Sequence, residues 1–268
     1  MNLELAAMLC VTRRLPRVRG CGRVAVKLRE QYVRKPRPKE YVDVMGFRVE
    51  LDPMDLCGGG VMFAPQLYHW REVAYLRRGL SQGSVFLDLG CGIGFYSLLA
   101  SRIVGTNGRV VAVDHDPHSF HRYMRTVREN GIGNVHAVQV RLSDSRETLE
   151  CLPQISGNRG GSCLPGGAEA EAHTVLVGCS PLLDVLESAE IERVDAAKLD
   201  LEGSAFRVLS AFFRSAQYSL WPRLLVVIEH VPERLTAAGG DVAELLAERG
   251  YSLLHSHDGY FVWSLGQV

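Results

Sequence analysis

From Ser84 onward the chain alternates short apolar runs with amphipathic stretches, and this rhythm constrains the fold more than any other feature. SVFLDLG is followed by a helical pattern from Phe95 to Ile103, and GRVVAVD by one from Ser119 to Asn130. NVHAVQVRL closes this first half. The rhythm resumes with VDAAKLD (194–200), a helical pattern over Ala205 to Ala216, RLLVVIEH (223–230) and another helix from Asp241 to Arg249. Near-continuous apolar strands separated by helices are covered on both faces, which requires a parallel sheet. The last two strands, YSLLHSH and YFVWSL, are joined through Asp258-Gly259, a hairpin signal. The prediction is an α/β fold: a mostly parallel seven-stranded sheet with a C-terminal antiparallel hairpin and helices on both faces.

Three segments flank or interrupt this core, which spans residues 84–268. Residues 1–40 form a basic extension, read as solvated and partly disordered: eleven Lys and Arg lie between Arg13 and Lys39, against Glu30 alone. Residues 41–83 hold a hairpin around Met45-Gly46. They also hold a helix over 66–80, with Leu67, Trp70, Val73, Leu76 and Leu80 at helical spacing. Residues 150–172, rich in Gly, Pro and Ser, are expected to form a flexible inserted loop.

Composition narrows the partners. Thirty Lys and Arg balance thirty Asp and Glu across 268 residues, so no global field gathers nucleic acid or membrane. The seven cysteines are odd in number and lack CxxC pairs, which argues against a disulfide framework and a zinc ribbon. A cytoplasmic setting is expected, with organelle targeting by the basic N-terminus as the alternative, and no transmembrane segment.

The chemistry starts at VFLDLGCGIGFYS. A strand, then Gly90, Gly92 and Gly94, then a helix beginning at Phe95 is a nucleotide-loop pattern. The spacing is GxGxG rather than the GxGxxG of dinucleotide sites, and Asp88 precedes the first glycine, where a pyrophosphate would be repelled. S-adenosylmethionine fits, being cationic and free of phosphate. Asp114, ending the second strand with His115 after it, is placed to accept from ribose hydroxyls. Ser143 and Asp144, ending the third strand, are placed to accept from the adenine amine.

From about Asp52 onward the chain resembles the FkbM family of S-adenosylmethionine-dependent methyltransferases. The resemblance is carried by FLDLGCGIGFYSLLAS, VVAVDHDPHSF, NGIGNVHAVQVRLSD and above all VDAAKLDLEGSAFRVL followed by PRLLVVIEH. It implies a Rossmann-like class I methyltransferase fold and methyl transfer to a hydroxyl of a sugar or secondary-metabolite-type acceptor. A small-molecule or glycan partner follows from it, and its Tyr-Glu-type motif implies a place near the cofactor for Glu72. A protein or nucleic-acid acceptor, or an NAD-dependent oxidoreductase, is the alternative.

An alcohol becomes a nucleophile only when its proton is accepted. Lys198, Asp200 and Glu202 alternate along the fourth predicted strand and so share one face, and Glu229 and His230 end the fifth. The expected catalytic set is Asp200 and Glu202 with Glu229 or His230, directly or through a divalent cation. Asp200 also borders the cofactor. The competing reading is a structural Lys198–Glu202 ion pair.

Overall fold

The computed structural model describes residues 3–18, 20–151, 175–229 and 240–266. In the basic segment it holds two helices, α1 (Leu3–Thr12) and α2 (Cys21–Tyr32). Leu5, Leu9 and Tyr32 of these helices join the apolar layer over one face of the main sheet. Several basic side chains serve as ties. Arg13 donates to the carbonyls of Met62 and Asp43, and Arg29 donates to those of Pro53, Met54 and Asp55, each at 3.0 Å. A guanidinium carries five donors in a fixed fork, so one side chain can close several loop carbonyls that lack a ladder partner.

Strands β1 (Glu40–Val44) and β2 (Phe47–Leu51) pair as the predicted hairpin, and Met45 and Gly46 both take positive φ at its turn. Helix α3 (Leu56–Phe63) follows, capped by Asp55. Helix α4 (Trp70–Gly79) starts four residues later than its apolar spacing suggested, because His69 is in the left-handed region with φ 45°.

The predicted rhythm then runs through β3 (Val85–Leu89), α5 (Phe95–Val104), β4 (Arg109–Asp114), α6 (Pro117–Glu129) and β5 (Val135–Gln139). Helix α6 begins at Pro117, two residues before its predicted start, because Asp116 caps it by accepting from the N–H of Ser119 at 2.8 Å. Next come β6 (Arg141–Leu142), β7 (Glu147–Cys151), β8 (Val175–Ser180), α7 (Leu182–Ser188), β9 (Ala196–Leu199) and α8 (Ala205–Ser215). The last elements are β10 (Leu224–Ile228), α9 (Val242–Glu248), β11 (Tyr251–His257) and β12 (Tyr260–Leu265).

Seven strands form one sheet in the order β11-β12-β10-β9-β3-β4-β5, with β12 alone antiparallel to its neighbours. This is the Rossmann-like class I methyltransferase arrangement. Successive strand residues feed opposite apolar layers: Leu87, Val111, Ala197 and Leu225 face α7, α8 and α9, while Phe86, Val110, Ala196 and Val226 face α3, α4 and α5. The strand order reverses between β3 and β9, and ligands of open α/β sheets bind outside the carboxyl ends at such a reversal.

One predicted strand divides. The N–H of Val140 donates to Asp114, ending β5, and β6 turns into a separate three-stranded sheet ordered β6-β8-β7. Ser143 and Asp144 therefore follow a strand of that smaller sheet and not the third strand of the main one. Most of the glycine-rich insert predicted at 150–172 lies outside the described residues.

Candidate functional site

The glycine turn between β3 and α5 positions the site. Gly90, Gly92 and Gly94 have φ of 77°, 52° and 81°, a run that only glycine adopts at low cost. The three are not equivalent. A Cβ on Gly90 would run into the carbonyl oxygen of Asp200, and one on Gly94 into the Tyr123 ring, whereas a Cβ on Gly92 would meet nothing within 4 Å. Gly90 and Gly94 are fixed by packing, and Gly92 faces the open side where a ligand can approach the backbone.

Asp114, at the end of β4, secures the turn. Its Oδ2 accepts from the N–H of Gly92 at 2.6 Å and its Oδ1 from the N–H of Asp116 at 2.9 Å. Burial raises its pKa, with these two N–H groups opposing the rise. His115 follows it, half-buried.

Asp88 lies beneath the turn rather than on its open side. It is 0% exposed, with Oδ2 accepting from Ser97 Oγ at 2.6 Å. Its register partner on β9 is Lys198, whose Nζ is 3.5 Å from Asp88 Oδ1 and 4.0 Å from Asp200 Oδ2 and also donates to the Gly90 carbonyl. Burial alone would lower the Lys198 pKa, but Asp88 and Asp200 outweigh it and hold the ammonium above its ordinary value. The charge read as repelling phosphate is thus partly neutralised from within.

The other predicted residues divide. Glu72, in the first turn of α4, is buried, and Phe95 opens α5 with its ring edge-on to Tyr68. Ser143 donates to Asp144 and Glu147, and Asp144, exposed, is paired with Arg207 of α8 at 3.0 Å; slight desolvation of its carboxyl is outweighed by its own backbone N–H, Arg207 and the Ser143 hydroxyl, which hold it below the usual range. Strand β9 ends at Leu199, so the alternation that put Lys198, Asp200 and Glu202 on one face does not extend to Glu202. That residue sits in the following turn with φ 48°. Glu229 follows β10, where burial, with Asp241 adding to it, pushes its carboxyl up to about 7. His230 lies outside the described residues. Among the described residues no group of three or more His, Cys, Asp or Glu converges on a metal position, and no helix is long and apolar enough to cross a membrane.

The structure also gathers residues that sequence reading did not assign. His69 Nδ1 is 2.8 Å from Tyr96 Oη, and its Nε2 is 2.8 Å from Tyr260 Oη. The imidazole stacks on Tyr68 with centroids 3.8 Å apart. Tyr96 follows the glycine turn, and Tyr260 opens β12 opposite Ile228, the last residue of β10. All three therefore lie at the carboxyl edge of the sheet. Nothing in the sequence pattern signals a pairing of residues 191 positions apart.

These residues fit S-adenosylmethionine. The open face at Gly92 admits a close ligand, the carboxylate of Asp114 braces the turn from the end of the neighbouring strand, and the acidic surroundings suit a cation.

Comparison with known proteins points the same way. A family model described as protein-L-isoaspartate(D-aspartate) O-methyltransferase matches residues 29–150, less than half of the chain. The chain is 36% identical over 93 residues to ribosomal protein L11 methyltransferase of Thermosipho melanesiensis, covering 34% of this chain and 34% of that protein. It is 34% identical over 59 residues to protein-L-isoaspartate O-methyltransferase of Methanococcus maripaludis, covering 22% and 28%. The chain thus spans about a third of the length of these curated relatives. A solved precorrin-6y C5,15-methyltransferase from Geobacter metallireducens aligns over 74% of this chain and 87% of its own at 16% identity, with a TM-score of 0.46, too loose a likeness to build on. The matched family is not the FkbM family that the motifs resemble. What the motifs, the sheet order and the matched relatives have in common is a class I, S-adenosylmethionine-dependent methyltransferase domain.

Proposed function

We propose that the protein transfers the methyl group of S-adenosylmethionine to a hydroxyl oxygen of a small, sugar- or secondary-metabolite-type acceptor. The observation that carries this reading is Glu229: a carboxyl at the carboxyl end of β10, two strands from the glycine turn on the same edge of the sheet, whose pKa is pushed up to about 7, is matched to taking a proton at neutral pH. The cofactor supplies a methyl group already activated by positive sulfur. The chain's residues supply position and a proton acceptor. Gly92 and Asp114 hold the cofactor side, Asp200 borders both sides, and Glu229 takes the proton, with Glu202 in the adjoining turn as a second carboxylate.

The resemblance of KLDLEG to the FkbM family supports a hydroxyl acceptor. Charge supports it too. Among the described residues at these strand ends, Asp200 and Glu229 are partly exposed carboxylates, whereas Lys198 is buried against Asp88. Such a surface suits an uncharged hydroxyl better than a carboxylate or a phosphate-bearing acceptor. A reducing, cytoplasmic setting goes with this reading, since Cys10, Cys21, Cys57, Cys91 and Cys179 are free thiols.

The test is calorimetric titration with S-adenosylmethionine and with NAD, followed by labelled-methyl transfer to a methyl glycoside, catechol, an isoaspartyl peptide and an RNA oligonucleotide. Binding of S-adenosylmethionine and transfer to the hydroxyl probes are expected. Transfer confined to the peptide or the RNA would replace this reading with the corresponding one.

A further inference from the structure

Helix α1, LELAAMLCVT, has Glu4 as its one charged residue and is otherwise apolar on every side. Its inward face is accounted for, because Leu5 and Leu9 are buried in the apolar layer over the main sheet. Its outward face is apolar as well. Leu3 is 87% exposed and Val11 55%, and with the exposed Ala7 and Cys10 they fall at helical spacing along one stripe. A helix on a water-facing surface turns polar residues outward, whereas one that is apolar all round is covered on both sides. An uncovered apolar face marks a contact with something else.

The charges beside the stripe say what covers it. Helix α2 packs beside α1 and both rest on α3, so their outward faces point away from the body of the protein. The outward residues of α2 include Arg23 and Lys27, with Val24 and Val26 exposed on either flank. Arg14 and Arg17 are exposed on the connection between the helices, beside Val18 at 60%, and Arg34 and Lys35 are exposed just after α2. Arg14 and Arg17 donate to Cys10 Sγ and to the Gln66 carbonyl, neutral acceptors that leave both charges uncompensated. On the acidic side Glu30 is exposed, and Glu4 is already held by Arg37 at 2.8 Å.

A nucleic acid would take the cations but offers nothing to Leu3, Val11 and Val18. Tyr32, the aromatic residue of this segment, is buried and unable to stack on a base. A second copy in a two-fold dimer would set these cations against their own counterparts. An anionic phospholipid surface takes both features: aliphatic side chains enter the boundary between head groups and acyl chains, while Arg and Lys stay among the phosphates.

We propose that the outward faces of α1 and α2 dock the protein on an anionic phospholipid membrane, with α1 lying in the plane of the interface. Ten residues are too few to span the bilayer, so the helix lies on it. The docking face is built onto the body: Thr12 Oγ1 donates to the Phe63 carbonyl at 2.5 Å, and Gln66 Nε2 donates to the Thr12 carbonyl at 2.8 Å.

The experiment is flotation of the full chain with vesicles of phosphatidylcholine alone and with about 30% phosphatidylserine, each at about 0.1 M and about 0.5 M salt. At the lower salt, binding to the anionic vesicles is expected to exceed that to the neutral ones by at least roughly 10-fold, and to fall several-fold at the higher salt. Val11→Asp and the double variant Arg23→Glu/Lys27→Glu are each expected to weaken it by roughly 10-fold or more. Because these positions are exposed, both variants are expected to match wild type in urea unfolding. Absence of binding to anionic vesicles, equal binding to both kinds, or survival of binding in both variants overturns the inference. Tighter binding to double-stranded RNA than to vesicles overturns it in favour of a nucleic acid, and self-association that Val11→Asp abolishes overturns it in favour of a second copy. None of these readouts involves methyl transfer, so their failure leaves the proposed function standing.

Discussion

The backbone N–H of Gly92 donates to Oδ2 of Asp114 at 2.6 Å, so the open tip of the glycine turn is held by the end of the neighbouring strand. Asp114 therefore shapes the turn in addition to its proposed role as acceptor for the ribose. Asp114→Asn keeps the size and loses the charge, and is expected to weaken S-adenosylmethionine affinity by roughly 10- to 100-fold, the worth of a charge-assisted hydrogen bond. Calorimetry checks this, and unchanged affinity would remove Asp114 from the site.

Gly90 and Gly92 separate folding from binding. Gly90→Ala drives a methyl group into the Asp200 carbonyl on top of its left-handed backbone, and is expected to destabilise the fold by at least about 3 kcal/mol. Gly92→Ala meets open space and is expected to cost about 1 kcal/mol in urea unfolding while losing most cofactor affinity, because its methyl group occupies the ligand's side. Equal destabilisation of the two variants would contradict this division.

Lys198 and Asp88 form a buried pair, with side chains 4% and 0% exposed. Lys198→Met leaves the carboxylate uncompensated and is expected to cost about 3–5 kcal/mol. Adding Asp88→Asn removes the stranded charge and is expected to restore more than half of that loss in urea melts. A double variant no more stable than Lys198→Met would show that the two side chains are not coupled.

Glu229 makes stability and activity run in opposite directions with pH. Its folded value of about 7 lies above the ordinary 4.5, so the folded state holds the proton longer than the unfolded one. Stability from this group is present below pH 4.5 and is lost as pH rises towards 7, where the folded carboxyl ionises. Glu229→Gln, which cannot ionise, is expected to gain in melting temperature over wild type across that window and to hold a constant difference above it. Methyl transfer in wild type is expected to rise through pH 7, and to lose that limb in the variant. A melting-temperature difference that is flat from pH 4.5 to 7 counts against the raised carboxyl.

How much of this was readable in sequence depends on distance along the chain. The parallel core follows from runs such as FLDLG and VVAVD, whose burial on two faces is a local property, and the turn geometry follows from three closely spaced glycines. The strand carrying Ser143 was misjudged because an apolar run identifies a strand without identifying its sheet, and Val140 marks the crossing from one sheet to another. Glu202 was placed on a shared face by an alternation that stops once the strand does. The partners of Asp88, Arg29 and His69 were invisible for a common reason: each lies in another element, and periodicity carries no record of which elements become neighbours.

Gly90 sits directly against the main-chain oxygen of Asp200, with no side chain between them. The loop proposed to hold the methyl donor and the loop proposed to border the acceptor thus meet backbone to backbone. A shift of either strand end is passed to the other at atomic contact, so under the proposed reaction the distance between donor and acceptor is set by the polypeptide itself. Side chains around the acceptor could then diverge to suit new molecules while the reaction distance stayed as the backbone built it.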